Sequence, residues 1–459
     1  MKRYLLSLLP LTLILALVLG SCSIGEVTRE NELKTSLEAT YEDLSSTFSG
    51  ESGSYSLVAE YLKSWANKND IDIAEDHPNH IIMVNPATEG CEDNETTVLQ
   101  CSVRTDNFNV SMQPLAIALS SLLGPESHGK TTLIITEIND GEYIGADTVD
   151  EKYYQCDNFI NIDHSDDMQL ITSGSYEMHS TMTSSLETDS SSYSHAFAIT
   201  MSTSGYSDPF DYDSHYPNPI EIIGSLLASE KSSGQLFQLA SFECKTVDGY
   251  TPTSATAVVT VDGNDVSSFT KRFEKSYNNV KNKFEKLEDN FVYTMTETAM
   301  PKTVIADQSS DNIISLMYTL QTGIYLQDEE SGEIIATSGI SRVSTSDGTF
   351  TLTTASRSTD SAVLEEMDAV FLTTSGLCDV SYTSTEPHMT WSSAKGNPAG
   401  FLKEALGTES SIVPSTLQSS ENDIFASKGA SNIVSYRCNI NSGESAMLNI
   451  LHFLESLTQ

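Results

Sequence analysis

Apolar residues recur at steps of three and four over Leu33–Phe48 (Leu37, Tyr41, Leu44) and over Tyr55–Asn67 (Leu57, Val58, Tyr61, Leu62, Trp65). That spacing predicts two helices, each with one apolar face. Four short apolar runs follow: His80–Val84, Thr96–Cys101, Thr132–Thr136 and Phe159–Asp163. They are continuous rather than alternating, which predicts strands in a sheet covered on both faces. Met112–Leu123 reads as a helix between the second and third, so the first part of the chain has an α/β layer pattern.

The rhythm then changes. Ser173–Ser214 is dominated by Ser, Thr and Tyr and has no strong period. Beyond it come a strand at Ala255–Val261, an Asp262-Gly263 turn and a helix over Asp265–Leu287, whose stripe is Phe269, Phe273, Tyr277, Val280, Phe284 and Leu287. Phe291–Thr296 is the next strand. A second set consists of strand Ile334–Val343, turn Asp347-Gly348, strand Phe350–Ser356 and helix Ser361–Phe371. Such strand and helix units predict a separate α+β domain. Past Trp391 the first pattern returns, with helix Ala399–Leu406, strand Ile433–Tyr436 and a closing helix Ala446–Leu457. We therefore divide the body into an α/β domain made of 33–175 and 386–459, with a domain of 176–385 inserted into it.

The N-terminus is of another kind. Lys2 and Arg3 precede an apolar run, Leu5–Leu19, broken only by Ser7, Pro10 and Thr12, and followed by Gly20-Ser21-Cys22. A charged start, a short apolar stretch and a small-residue exit make a secretory signal, too short for a spanning helix. The exit resembles a bacterial lipoprotein box. Residues 1–22 are then a signal, Cys22 is the lipidated residue and 23–32 a polar tether; ordinary cleavage with an incidental cysteine is the plainer alternative. Several acyl chains hold a protein stably on a membrane, so the expected place is the outer face of the bacterial cytoplasmic membrane.

Charge narrows the partners. The formal net charge is −40, from 64 acidic and 24 basic residues. Such a chain has too few cations to neutralise phosphates, which excludes nucleic acid as a partner, and it suits a solvated extracellular surface. The acidic groups at Asp166-Asp167 and Asp208–Asp213 lack EF-hand spacing and read as solvated faces rather than calcium sites. His77 and His80 flank a turn and read the same way. Cys91, Cys101, Cys156, Cys244, Cys378 and Cys438 match no zinc-finger or redox spacing. No Gly-rich phosphate loop or serine-hydrolase elbow is present.

Several stretches carry a resemblance. Tyr61-Leu62-Lys63-Ser64-Trp65-Ala66, Asn85-Pro86-Ala87-Thr88 and Thr97-Val98-Leu99-Gln100 are similar to the opening of the bacterial aminoacyl-histidine dipeptidases, relatives of carnosinase and peptidase T. Thr246–Val261 and Arg357-Ser358-Thr359-Asp360-Ser361 resemble that family's lid, and the closing helix its C-terminus. The resemblance implies a zinc-exopeptidase-like domain, a mixed sheet between helices, with an inserted α+β lid or dimerisation domain. It also implies two zinc ions held by His and carboxylate ligands, with a Glu as general base on the bridging water, and a homodimer through the lid.

Residue by residue the implied site is depleted. Ser102 stands where the first His ligand belongs, in Cys101-Ser102-Val103-Arg104, and Arg104 replaces the Asp that would orient it. Asp106, in Asp106-Asn107, matches the bridging Asp. Glu137 keeps the base position, while Ile138 replaces the ligand next to it. Asp163 is kept at the end of its strand, and Asn441 replaces the last His. In the lid, Cys244–Gly249 replaces a substrate-touching Gly-Gly-x-x-Arg-Asn stretch, His215 is a loose match to the lid His, and Arg357 is retained as a substrate contact or a surface residue.

Two carboxylates without nitrogen or sulfur make a poor zinc site. The leading expectation is a non-catalytic binding protein for peptides, small ligands or another protein, with no cofactor and with Glu137 idle. A rival is a metal-dependent dipeptidase or aminopeptidase with an altered zinc site, using one metal or unusual ligands such as Cys101 and Cys438; His164, next to Asp163, is a separate residue that could reach the same pocket. A third is a structural lipoprotein that dimerises through its lid. Two further expectations concern the depleted site. Cys101 and Cys438 lie on segments that converge on the metals in the family, so they are a candidate disulfide pair. Asp106, Glu137 and Asp163 are expected to share one pocket, with Arg104 paired to one of them in place of the metal charge.

Overall fold

The computed structural model describes residues 28–48, 52–139, 142–203, 210, 217–245, 251–284, 291–393, 397–406, 412–413, 415–417, 419–438 and 442–458. Cys22, Asp208, Asp211, Asp213, His215, residues 246–249 of the lid stretch, and Asn441 lie outside them.

An eight-stranded mixed sheet forms the α/β domain. Its strands β1 (Asp72–His77), β2 (His80–Asn85), β3 (Thr97–Arg104), β4 (Thr131–Ile138), β5 (Asn158–His164) and β6 (Gln169–Ile171) are joined by Ile412–Val413 and Ile433–Cys438. The order is β1-β2-β4-β3-β5-(433–438)-β6-(412–413). At its centre β3 runs parallel to both β4 and β5, and Ile433–Cys438 runs parallel to β5. Crossovers between parallel strands need helices, and helices cover the sheet.

Alternate residues of each strand serve two different cores. Leu99, Cys101, Val103, Leu133, Ile135, Ile160, Ile162, Val434, Tyr436 and Cys438 pack on one face. Their partners there include α1 (residues 28–47), α2 (Tyr55–Lys68), α3 (Met112–Leu123) and the closing helix Gly443–Ser456. Val98, Ile134, Phe159 and Ile433 face the other way, against Ala146, Tyr154, Trp391 and Phe425. Both faces are buried, which is why these strands read as unbroken apolar runs. The edge strand β1 is exposed and polar, and for that reason has no hydrophobic signature.

Among its described residues the inserted domain holds two larger antiparallel sheets over one core, and a two-stranded pair of Thr188–Asp189 with Val304–Ile305. One is built from His195–Ser202, Phe237–Lys245, Ser254–Val261 and Val292–Glu297, with helix Val266–Phe284. The other contains Tyr176–Ser185, Gly323–Gln327, Ile334–Ser344, Thr349–Ser358, Ser381–Ser384 and His388–Met389. The segment read from sequence as without period supplies a central strand to each sheet, Tyr176–Ser185 and His195–Ser202. In the first of these the buried face is Met178, Ser180 and Met182. A serine in the middle of that face erased the alternation.

The two links between domains run side by side. Ser173 pairs with Ser392, Gly174 N–H donates to Trp391 O (3.0 Å), Thr390 N–H to Ser175 O (2.9 Å) and Ser393 N–H to Thr172 O (2.9 Å). A Cβ on Gly174 would stand 2.1 Å from Thr390 Oγ1, so only glycine fits that approach.

One buried acid in the inserted domain is unusual. Glu230, in the last turn of helix Pro219–Ser232, is fully buried, and neither carboxylate oxygen has a hydrogen-bond partner. Arg272 Nε lies 3.7 Å away. Burial pushes the carboxyl up to about 8, and Arg272 only partly opposes this. The folded chain thus holds this proton more tightly than the unfolded chain. The stabilising contribution is complete below the unfolded value near 4.5 and is lost as pH rises towards 8. Glu230→Gln should match the parent at pH 5 and be more stable at pH 8 by roughly 1–3 kcal/mol. Thermal melts at the two pH values check this, and an equal difference at both would contradict it.

Candidate functional site

The carboxyl ends of β3, β4 and β5 open on a cavity of about 320 Å³. Strand alternation decides what faces it. Ser102 and Arg104 of β3, Ile138 of β4, Asn161 and Asp163 of β5, and Arg437 of Ile433–Cys438 all lie on the face opposite the α1–α3 core, and all line the cavity. Asp106 and Asn107, just beyond β3, contribute to its wall, as do Tyr143 and His164.

The floor is a buried polar network. Gln100 Nε2 donates to Glu421 Oε2 (2.6 Å) and Thr136 Oγ1 (3.0 Å), Asn161 Nδ2 donates to Gln100 Oε1 (2.5 Å), and Ser435 Oγ to Asn161 Oδ1 (2.6 Å). Ser102 Oγ also donates to Glu421 Oε2. Glu421 opens the seven-residue helix Glu421–Ser427 and is 3% exposed. Burial pushes its carboxyl up to about 7, opposed by the polar side chains of Ser102, Thr136 and Gln100 around it. Sequence reading missed Glu421 because its helix is short and polar. The one available signal was Ser420 with Asp423 three residues on, a pattern that starts helices; here Asp423 Oδ2 accepts from Ser420 N–H (2.8 Å).

No family model matches the chain, and no curated protein matches it either. Solved structures do. Aminoacylhistidine dipeptidase from Vibrio alginolyticus superposes with a TM-score of 0.52 and 15% identity, over 92% of this chain and 95% of that one. The chain has the fold of that dipeptidase. A tripeptidase from Staphylococcus aureus (TM-score 0.47, 14% identity, 92% and 98% covered) and aminopeptidase PepT from Bacillus cereus (0.47, 10%, 92% and 99%) also match.

Within this dipeptidase fold the expected site residues divide. Asp106, Asp163, Ser102, Ile138 and Arg104 meet at the cavity, and Asn441 lies outside the described residues. Glu137 does not line it. It falls on the same side of β4 as Leu133 and Ile135, and its Oε1 accepts from Thr105 Oγ1 (3.3 Å). Burial raises its carboxyl, and Thr105 opposes this. The expectation that three carboxylates share one pocket with Arg104 as their counter-ion is corrected on both counts. Arg104 is exposed at the rim and, among the described residues, forms no ion pair with Asp106, Glu137 or Asp163. The cation beside Asp163 is instead Arg437, with Nε 3.8 Å from Asp163 Oδ2 and in direct register across the strands.

The cysteine pairing is corrected too. Cys101 and Cys438 lie on either side of β5, opposite Ile162 and His164 respectively. Two strand spacings of about 4.8 Å plus a two-residue offset exceed the roughly 7 Å span of a disulfide. Both thiols are free and buried, and burial raises both, Cys438 to about 12.

The donor set does not suit zinc. Among the described residues no three His, Cys, Asp or Glu side chains converge as metal ligands. Asp163 has a guanidinium beside it, and aliphatic Ile138 faces the cavity where the resemblance asks for a carboxylate. His164 reaches the wall with its Nδ1 buried and unpartnered. The His77 and His80 rings stack at the β1–β2 turn (4.5 Å), His80 bonding Thr148 and Glu75, away from the cavity.

Arg357 joins the two domains. Its guanidinium pairs with Glu177 (Nε to Oε2, 2.6 Å) and Asp423 (3.5 Å), donates to Leu417 O (3.2 Å) and lies over the Phe210 ring (4.4 Å). This is a structural ion-pair cluster, with the guanidinium engaged by protein groups. Burial would raise Glu177, but the His179 hydrogen bond and the Arg357 charge hold it down at about 2. Removing one partner of a buried pair leaves the others uncompensated, so Arg357→Met should cost about 3–5 kcal/mol of stability. Adding Glu177→Gln should recover part of that loss. Urea unfolding of both variants checks it, and a single variant as stable as the parent would contradict the cluster's role.

Proposed function

We propose that the chain is a lipid-anchored cell-surface protein whose dipeptidase-type cleft binds a peptide or other small ligand without hydrolysing it. The observation that carries this reading is the cavity itself. Its sheet face holds Ser102, Ile138, Asp163 and Arg437, and its floor is a hydrogen-bonded network rather than a set of metal donors. Such a site can orient a polar ligand, and its described residues do not assemble the donor set that would hold a hydroxide-generating metal. The N-terminal signal with its Cys22 box supports display on a membrane, and the lid resemblance supports a homodimer. A second reading, a metallodipeptidase with altered ligands, is favoured by one observation: Asp106 and Asp163 still line the same cavity.

Elemental analysis of full-length protein purified with zinc present, together with a dipeptide-hydrolysis screen, separates the two. We expect well under one zinc per chain and no turnover above buffer. Stoichiometric zinc with hydrolysis that disappears in Asp163→Ala would establish the second reading. For the anchor, the parent should fractionate with membranes and Cys22→Ala should release into the soluble fraction. Equal membrane retention of the two would refute lipidation at Cys22.

A further inference from the structure

The cavity contains an acceptor without a donor. Glu421 Oε2 is held by Ser102 and Gln100, whereas Oε1 is buried and has no hydrogen-bond partner, on a residue that lines the cavity. Leaving such an oxygen unmatched costs on the order of 1–3 kcal/mol, more for a charged group. Asp106 and Asp163 open onto the same space. The cations of the lining are Arg104, exposed at the rim, and Arg437, whose Nε lies 3.8 Å from Asp163 Oδ2.

We propose that this cavity is a binding site for a small organic amine whose ammonium group donates to Glu421 Oε1 in the field of Asp163 and Asp106. The assignment rests on the binding reading above and names the chemistry of the ligand. An ammonium carries three donors and no acceptor, which complements the unmatched Glu421 Oε1 and the Asp106 and Asp163 carboxylates on the wall, three acids against the two guanidinium groups of the lining. It needs no set of donors at fixed distance, as a metal ion does, and among the described residues no three His, Cys, Asp or Glu side chains converge as metal ligands. The apolar part of such a ligand has Ile138 and Val110 to lie against. The volume, about 320 Å³, is at the small end of ligand sites, which run from roughly 300 to 1,000 Å³.

Calorimetric titration of the full-length protein with n-butylamine, and with 1-butanol as the uncharged analogue, tests the site. Butylamine should bind saturably, one per chain, and butanol at least tenfold more weakly. Glu421→Gln should lose at least tenfold in amine affinity, and Asp163→Asn at least threefold. Glu230→Gln, a buried acid of the inserted domain, should leave binding unchanged. The Asp163 variant decides the matter if the Glu421 variant does not fold. Equal binding of butanol, undiminished amine binding in the variant that folds, or no saturable binding at millimolar amine would overturn the proposal. Saturable dipeptide binding that butylamine does not compete away would overturn the amine assignment and leave the binding reading standing. Stoichiometric zinc with hydrolysis would remove both.

Discussion

Side chains on a strand point alternately to opposite faces, and in this protein that constraint decides the chemistry. The central strands are covered on both sides, so every residue is committed either to the helical core or to the cavity face. Gln100 and Ser102 fall on one side, Leu99, Cys101 and Val103 on the other. The same parity splits Glu137 from Ile138: the aliphatic neighbour reaches the cavity and the carboxylate is turned to Thr105. A one-residue slip in any of these strands would exchange core and site wholesale, so the register that builds the core also fixes which polar groups can meet.

What could be read in the sequence follows from the same physics. Strands buried on both faces announce themselves as apolar runs, and β2 to β5 were visible with their helices. Amphipathic helices such as Val266–Phe284 were equally plain. Tyr176–Ser185 was hidden because a buried serine interrupts its face, and β1 because an edge strand carries no apolar pattern. The site was legible where side chains follow strand parity from a named position, as for Ser102, Ile138 and Asp163. It was not legible where a distant segment enters, as Glu421 does from more than three hundred residues along the chain. Arg104 illustrates the limit of parity. Alternation placed it on the cavity face correctly, but at the last residue of β3 its long side chain reaches the rim and solvent.

The polar floor has an energetic meaning of its own. Gln100, Asn161, Ser435, Thr136 and Ser102 belong to four neighbouring strands and satisfy one another through short hydrogen bonds. A fully connected network of this kind fixes one arrangement of side chains, since losing any member strands the rest in a medium of low dielectric. Glu421 is the one member left half satisfied, and the network holds it in place rather than letting it turn to solvent.

The paired links between the domains give the molecule a particular mechanics. A single connecting strand leaves the two domains joined at one point, but two strands bonded to each other around Ser173–Ser392 give a doubled link whose segments cannot move independently without breaking those bonds. The inserted domain is therefore held at its root by both chain segments at once. Arg357 is the far point of contact, reaching from that domain to Asp423, two residues along the same short helix from Glu421. The helix that presents Glu421 is thus pinned from two directions, by the polar floor of its own domain and by a guanidinium of the other, so its carboxylate is a load shared between the domains.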